Sequence, residues 1–315
     1  MSDYNSALLP LVSNIACPMI QPIKRTLRSL ARPVIRPLAG FVRRLLEEPS
    51  VVAEVKPVLI QAGPARDCTI QLPSPSQLAT NICDGMYEPE CIELLQKIIS
   101  PTDICFDIGG HNGYFTLVLA KLAEQGRVIC FEPVESLANR ISESIRLSRI
   151  NNAFVEVVAV AGESGQMQFR FAGDDSLDDS MGHLVRYGGV NTPRSQVQYD
   201  QFSERTVTAV TLDSRKQFAP NFIKIDAEGA EAEILLAGKE LICQSKPRLL
   251  IELHGVDLAL RCADLLGPLG YRAFSVGQRS LMMQTFWLHR EDPKVADFAN
   301  VVSEQKLPLI FSSRS

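Results

Sequence analysis

The chain has 315 residues, 46% hydrophobic and 22% charged, with a formal net charge of -4. That composition excludes an intrinsically disordered chain, and the acidic balance argues against a nucleic-acid partner. A domain of this size can bury a full core without disulfides or structural metals.

Charge is unevenly spread. Residues 1–50 contain seven bases (Lys24, Arg25, Arg28, Arg32, Arg36, Arg43, Arg44) and three acids (Asp3, Glu47, Glu48), a balance of +4 that leaves -8 for the remainder. Between Ile23 and Leu46, Arg25, Arg28, Arg32 and Arg36 share one helical stripe, with Leu27, Leu30, Ala31, Val34 and Leu38 mostly opposite. Pro33 and Pro37 interrupt that helix. A helical extension packed on the domain, or on a second subunit of a homo-oligomer, is therefore favoured over peripheral contact with an anionic membrane surface. The apolar stretch Ala7–Ile23 is too polar and too broken to span a bilayer, and it lacks the layout of a secretory signal. The eight cysteines include no C-x-x-C pair, and Cys105 and Cys130 fall inside apolar strands. A reducing, cytoplasmic setting is expected.

Residues 51–80, rich in Pro, Gln and Ser, are expected to be a linker with short extended pieces, with the folded domain covering 81–292 and a tail at 293–315. A helix over Pro89–Ile99 opens the domain, Pro and Glu marking its N-terminus. Strands are predicted at 103–107, 127–131, 154–160, 207–212, 222–226 and 249–253, and helices at 113–124, 135–149, 230–242 and 257–266. An added antiparallel strand is expected at 167–171, and a closing strand pair at 271–276 and 285–289. Residues 172–205 are polar and poor in core residues, which fits a lid or substrate loop. Asp174, Asp175, Asp178 and Asp179 within it lack calcium-loop spacing. Strands alternating with helices give an α/β fold with a mostly parallel sheet covered on both faces.

In such sheets ligands bind beyond the carboxyl ends of the strands. The first tip reads Asp107-Ile108-Gly109-Gly110-His111-Asn112-Gly113, a strand, a glycine turn and a helix start. Glycines without Cβ atoms allow close approach of a ligand, and the spacing Asp-x-Gly-x-x-x-Gly differs from the Gly-x-Gly-x-x-Gly of a dinucleotide site. An acid in this turn suits the amino group, sulfonium and ribose of S-adenosylmethionine. Glu132, ending the second strand before Pro133, is placed to accept hydrogen bonds from ribose hydroxyls.

The fourth tip, Ile223-Lys224-Ile225-Asp226-Ala227-Glu228-Gly229-Ala230-Glu231, brings three carboxylates within six residues. Helix capping explains part of Glu231. Together they would raise one another's pKa unless a cation, substrate or metal lies among them, and Lys224 is a candidate for that cation. His254 ends the next strand, where a histidine can serve as a general base. His111 lines the cofactor turn; His183 and His289 are read as uninvolved.

The segments Asp107–Tyr114, Phe131-Glu132-Pro133, Thr211-Leu212-Asp213, Ile223–Glu231 and Glu252-Leu253-His254, in this order and spacing, resemble the FkbM-type methyltransferases over roughly residues 80–290. The resemblance implies the class I, Rossmann-like, seven-stranded methyltransferase fold, S-adenosylmethionine as donor, and transfer to a hydroxyl of a sugar or secondary metabolite. It places Asp107, Gly109 and Gly113 in the methionine-side loop and Glu132 at the ribose; Gly110 and Asn112 of the same turn are also expected at the cofactor. It turns the Asp226–Glu231 segment (Asp226, Glu228, Glu231) and His254 toward the acceptor, and Lys224 is a further candidate for the acceptor site. Gly110-His111 departs from the Ala-Asn more usual in the family.

The expected chemistry is in-line displacement at the sulfonium methyl, with His254 as first choice of base and Asp226 as second. A divalent metal among the carboxylates is an alternative that the sequence does not itself call for. The rivals are a non-catalytic scaffold that recruits partners through its basic arm, and an NAD-dependent oxidoreductase, which lacks its fingerprint here.

Overall fold

The computed structural model describes residues 54–172, 183–184, 202–276 and 282–296. The expected N-terminal helix, most of the 172–205 loop and the end of the tail lie outside the described residues. Strands β1 (Glu54–Leu59) and β2 (Thr69–Ser74) form an antiparallel hairpin. Helices α1 (Gln77–Cys83) and α2 (Pro89–Ile98) follow. The main repeat is β3 (Ile104–Ile108), α3 (Tyr114–Leu122), β4 (Arg127–Phe131), α4 (Glu135–Leu147) and β5 (Ala153–Glu156). After β6 (Ala159–Val160), β7 (Gly165–Ala172), β8 (His183–Leu184) and β9 (Phe202–Val210), the alternation resumes with β10 (Phe222–Ile225). It ends with α5 (Glu231–Leu236), α6 (Lys239–Ser245), β11 (Arg248–His254), α7 (Val256–Leu266), β12 (Tyr271–Val276) and β13 (Met282–His289).

Seven strands form one sheet in the order β12-β13-β11-β10-β3-β4-β5, and β6-β9-β7-β8 form a second. Strands β11, β10, β3, β4 and β5 run parallel, and β13 is antiparallel to both β11 and β12. The strand order reverses between β3 and β10, and that switch point is where such folds bind ligands. The strand alternation anticipated the parallel sheet, and the seven-stranded order is the Rossmann-like class I arrangement that the family resemblance implied.

Side-chain alternation explains how the central strands are buried on both faces. Cys105 packs with Leu94, Leu117, Val118 and Ile141 on one side of the sheet. Its neighbour Phe106 packs with Ile225, Ile234, Leu241 and Trp287 on the other.

The domain begins earlier than composition suggests. Ile60, Ile70, Leu72 and Ile82 are fully buried in the same core as α3, so the stretch expected as a linker is part of the fold. Backbone amides of Thr69 and Gln71 donate to the hydroxyls of Ser148 and Ser144, fastening the hairpin to α4. Pro-, Gln- and Ser-rich composition misleads here because a hairpin buries one face only. At the other end, Val295 also joins the core.

Two further expectations change. The strand expected at 154–160 splits, β5 staying in the large sheet while β6 pairs with β9 in the small one. The helix expected at 230–242 breaks at Ala237-Gly238, where a Cβ on Gly238 would press into the Leu212 side chain. Asp213 restarts the helix, its carboxylate accepting from the amides of Glu240 and Leu241 at 3.3 and 2.8 Å.

Candidate functional site

Parallel pairing of β3 with β10 sets Lys224 directly beside Asp107. Lys224 Nζ lies 3.6 Å from Asp107 Oδ1, 3.3 Å from Asp226 Oδ2 and 3.3 Å from the Gly109 carbonyl. Burial opposes the ammonium, yet the facing carboxylates of Asp226 and Asp107 outweigh it and raise its pKa. Asp107 is completely buried, and burial raises its pKa against the pull of Lys224 and Thr116. Thr116 donates to Asp107 Oδ2 at 2.6 Å, whereas Oδ1 makes no hydrogen bond.

The glycine turn is packed tightly against its own protein neighbours. A Cβ on Gly109 would collide with the Asp226 carbonyl, and one on Gly110 with Cys130 Sγ and Ile141. These two glycines let the turn pack against its own protein neighbours. Gly109 (φ 80°) and Gly113 (φ 84°) are also left-handed, as is His111 (φ 48°). Asn112 Oδ1 accepts from the Tyr114 amide at 2.8 Å and steadies the entry to α3.

Glu132 stands at the tip of β4, 4% exposed. Its two oxygens accept from the amides of Val134 and His111, each at 2.9 Å. Burial nevertheless raises its pKa to about 7. Beside it a cavity of about 210 Å³ lies between Pro133–Glu135 and Phe169, Arg205 and Val207 of the second sheet.

On the other side of the switch point, four carboxylates surround His254. Left-handed backbone at Glu228 (φ 50°) and Gly229 (φ 110°) folds the segment after β10 back over the tip of β11. His254 Nε2 lies 3.3 Å from Glu228 Oε2, 3.9 Å from Asp226 Oδ1 and 4.0 Å from Glu252 Oε1. Its Nδ1 is 3.0 Å from Glu231 Oε1.

Glu231 is fully buried and accepts from the amides of Ala227 and Gly229. It therefore orients His254 and is not open to an acceptor, contrary to expectation. Lys224 is likewise buried, bridging the two acids; its role is electrostatic.

Burial opposes charge on His254, but Glu231, Glu228 and Asp226 raise its pKa to about 10. A histidine already protonated at neutral pH is a poor proton acceptor, which weakens its expected role as base. Burial moves Glu228 up to about 7, and the Asp226 charge moves Glu252 up to about 8. Burial also opposes ionisation of Asp226, but Lys224 and His254 outweigh it and lower its pKa.

Tyr87 also belongs to this region and was not evident from sequence. Its ring meets Tyr114 and Phe115 edge-on at 5.6 and 6.4 Å, and Lys224 Nζ lies 5.2 Å from the Phe115 ring centre. Burial raises its pKa, and Asp226 adds to the effect. Tyr87 sits in the turn before α2, far in sequence from any strand tip, so motif reading had no reason to single it out. His289 is buried against Tyr271, away from the cluster. The side chain of His183 lies outside the described residues.

Parallel strands with a switch point flanked by acids define a Rossmann-like class I methyltransferase fold. The methyltransferase FkbM domain model matches residues 107–273. The chain belongs to the FkbM methyltransferase family. No curated protein matches it in sequence.

Among solved structures, the FkbM methyltransferase of Methylobacillus flagellatus KT is 16% identical with a TM-score of 0.43. That match covers 60% of this chain and 44% of the other, so it spans less than half the length of that protein. The precorrin-6y C5,15-methyltransferase of Geobacter metallireducens is 12% identical over 64% of this chain and 87% of its own, with a TM-score of 0.39. TYW2 of M. jannaschii, solved in complex with AdoMet, is 13% identical over 70% and 80%, with a TM-score of 0.36.

Proposed function

We propose that this protein transfers a methyl group from S-adenosylmethionine to a hydroxyl oxygen of a small acceptor, a sugar or another hydroxylated metabolite. The reading rests on one observation above all. The glycine turn after β3 touches the Asp226 backbone, so a donor held by the turn stands next to the His254 cluster.

The residues fit the donor. Asp107 Oδ1 is buried, has no hydrogen bond among the described residues and faces Lys224 Nζ at 3.6 Å, which supports a reading in which it also takes the donor's cationic amino group. Each Glu132 oxygen has a lone pair left after its amide bond, suited to ribose hydroxyls. The cavity beside Pro133 and Val134 suits the purine. S-adenosylmethionine supplies an already activated methyl, so the chain mainly aligns the acceptor and receives its proton.

Asp226 and Lys224 fix the floor of the acceptor site, and Glu231 fixes His254. The carboxylate of Glu252, held near neutral pKa, takes the proton from the acceptor hydroxyl, a role better matched to it than to protonated His254.

Calorimetric titration with S-adenosylmethionine and its demethylated product tests the donor. Micromolar binding by wild type, lost in Glu132→Ala, is expected; a well-folded wild type that binds neither compound would refute the reading. His254→Ala should cut turnover while leaving donor affinity nearly unchanged.

A further inference from the structure

Among the described residues, Asp226, Glu228 and His254 each direct one donor atom into a space where the three atoms lie within 4.8 Å of one another. Donors about 2.1 Å from a six-coordinate ion stand roughly 3.0 to 4.2 Å apart, so these spacings suit a shared ion.

Two further observations point to a ligand. The first concerns the histidine. His254 has 3% exposure, and its one hydrogen-bonding contact, with Glu231, is through Nδ1. Among the described residues Nε2 has no hydrogen bond; it has only ion-pair contacts, with carboxylate oxygens of Glu228, Asp226 and Glu252 at 3.3, 3.9 and 4.0 Å. An imidazole fixed through one nitrogen by a buried carboxylate, its other nitrogen turned to open carboxylates, is the usual arrangement of a metal-bound histidine. Glu231 provides the fixing carboxylate, itself held by two backbone amides.

The second is charge. The connected cluster holds five carboxylates (Asp107, Asp226, Glu228, Glu231, Glu252) and two basic side chains (Lys224, His254). Asp226 divides its oxygens, Oδ2 toward Lys224 and Oδ1 toward His254, which leaves Oδ1 to the shared space.

We propose that Asp226, Glu228 and His254 bind a divalent first-row transition ion, which displaces the imidazolium proton to solvent on binding, with Glu231 as the positioning residue behind the histidine. One imidazole nitrogen with carboxylate oxygens suits Mn²⁺, Fe²⁺ or Zn²⁺ better than Ca²⁺, which takes all-oxygen shells. The assignment deepens the methyl-transfer reading and rests on it only for the ion's purpose. That purpose is to hold the acceptor oxygen and lower its pKa, leaving Glu252 to receive the proton.

The test is titration of chelator-treated full-length protein with MnCl₂ at neutral pH, following loss of the free-ion EPR signal. Binding of the demethylated donor is measured on the same samples. One Mn²⁺ per chain is expected. Glu228→Gln and His254→Gln should each weaken it at least about tenfold, and Glu231→Gln roughly 10- to 100-fold. Donor affinity should hold in Glu228→Gln, whose partly exposed side chain can be changed without threatening the core. Absence of Mn²⁺ binding at millimolar concentration, or binding unchanged by both Glu228→Gln and His254→Gln, would overturn the assignment. Site-dependent Mn²⁺ binding in a protein that ignores the donor would keep the ion site and remove the methyl-transfer reading instead.

Discussion

Replacing Glu231 by Gln tests the architecture of the His254 cluster. The side chain is fully buried, touches His254 Nδ1 at 3.0 Å, and accepts from Ala227 and Gly229 at 3.1 to 3.2 Å. Glutamine keeps the shape and one acceptor oxygen but removes the charge and points an NH₂ group at amide donors. A hydrogen bond to a charged group contributes about 1.5–3 kcal/mol. Full loss of one partner in a buried ion pair costs about 3–5 kcal/mol, and the three other carboxylates near His254 soften that here. The expected loss is therefore about 1.5–3 kcal/mol, or roughly 3–12 °C in Tm for a domain of this size.

The variant also lowers the His254 pKa, because the Glu231 hydrogen bond is the largest influence raising it. The raised histidine stabilises the fold fully below its unfolded value near 6.5, and that contribution fades as pH rises toward about 10. Thermal melts from pH 5 to pH 10 should thus show a decline above neutrality that is shallower in Glu231→Gln. Equal Tm and an equal pH slope in wild type and variant would refute the placement of Glu231 behind His254.

Glu228 and Glu252 act in the same direction. Their folded pKa values, about 7 and about 8, exceed the ordinary 4.5, so stability falls as pH rises from about 4.5 through those values. Wild-type Tm should accordingly peak on the acid side of neutrality, and a maximum above about pH 8 would contradict the charge balance of the cluster. Lys224→Met removes the cation between Asp107 and Asp226 and should cost about 3–5 kcal/mol in denaturant unfolding. Gly110→Ala places a methyl against Cys130 and Ile141 and should cost about 1–3 kcal/mol without any ligand present; a loss of donor affinity alone would restore the ligand-approach explanation of that glycine. Asp213→Ala removes the cap of α6, for about 1 kcal/mol, with donor binding unchanged.

The parallel core strands and the acids at their tips were legible in the sequence, because burial on both faces leaves continuous apolar runs that end abruptly in polar residues. Asp107, Glu132, Asp226 and His254 all stand where those runs end. The hairpin at 54–74 was not legible, since a strand pair buried on one face and interrupted by Pro and Gln has no run to detect. The division of labour among the carboxylates also came only from the fold. Sequence spacing made both Glu228 and Glu231 acceptor-site candidates, with capping explaining only part of Glu231, but the left-handed turn at Glu228-Gly229 directs one carboxylate toward the shared space, while Glu231 lies buried beneath His254. The glycine turn has the same lesson: its composition was visible, while the need for it lies in Asp226, Cys130 and Ile141, residues far along the chain that only packing brings together. A linear pattern records how often a position is buried; what it is buried against, and therefore its charge state and chemistry, is decided by contacts between distant segments.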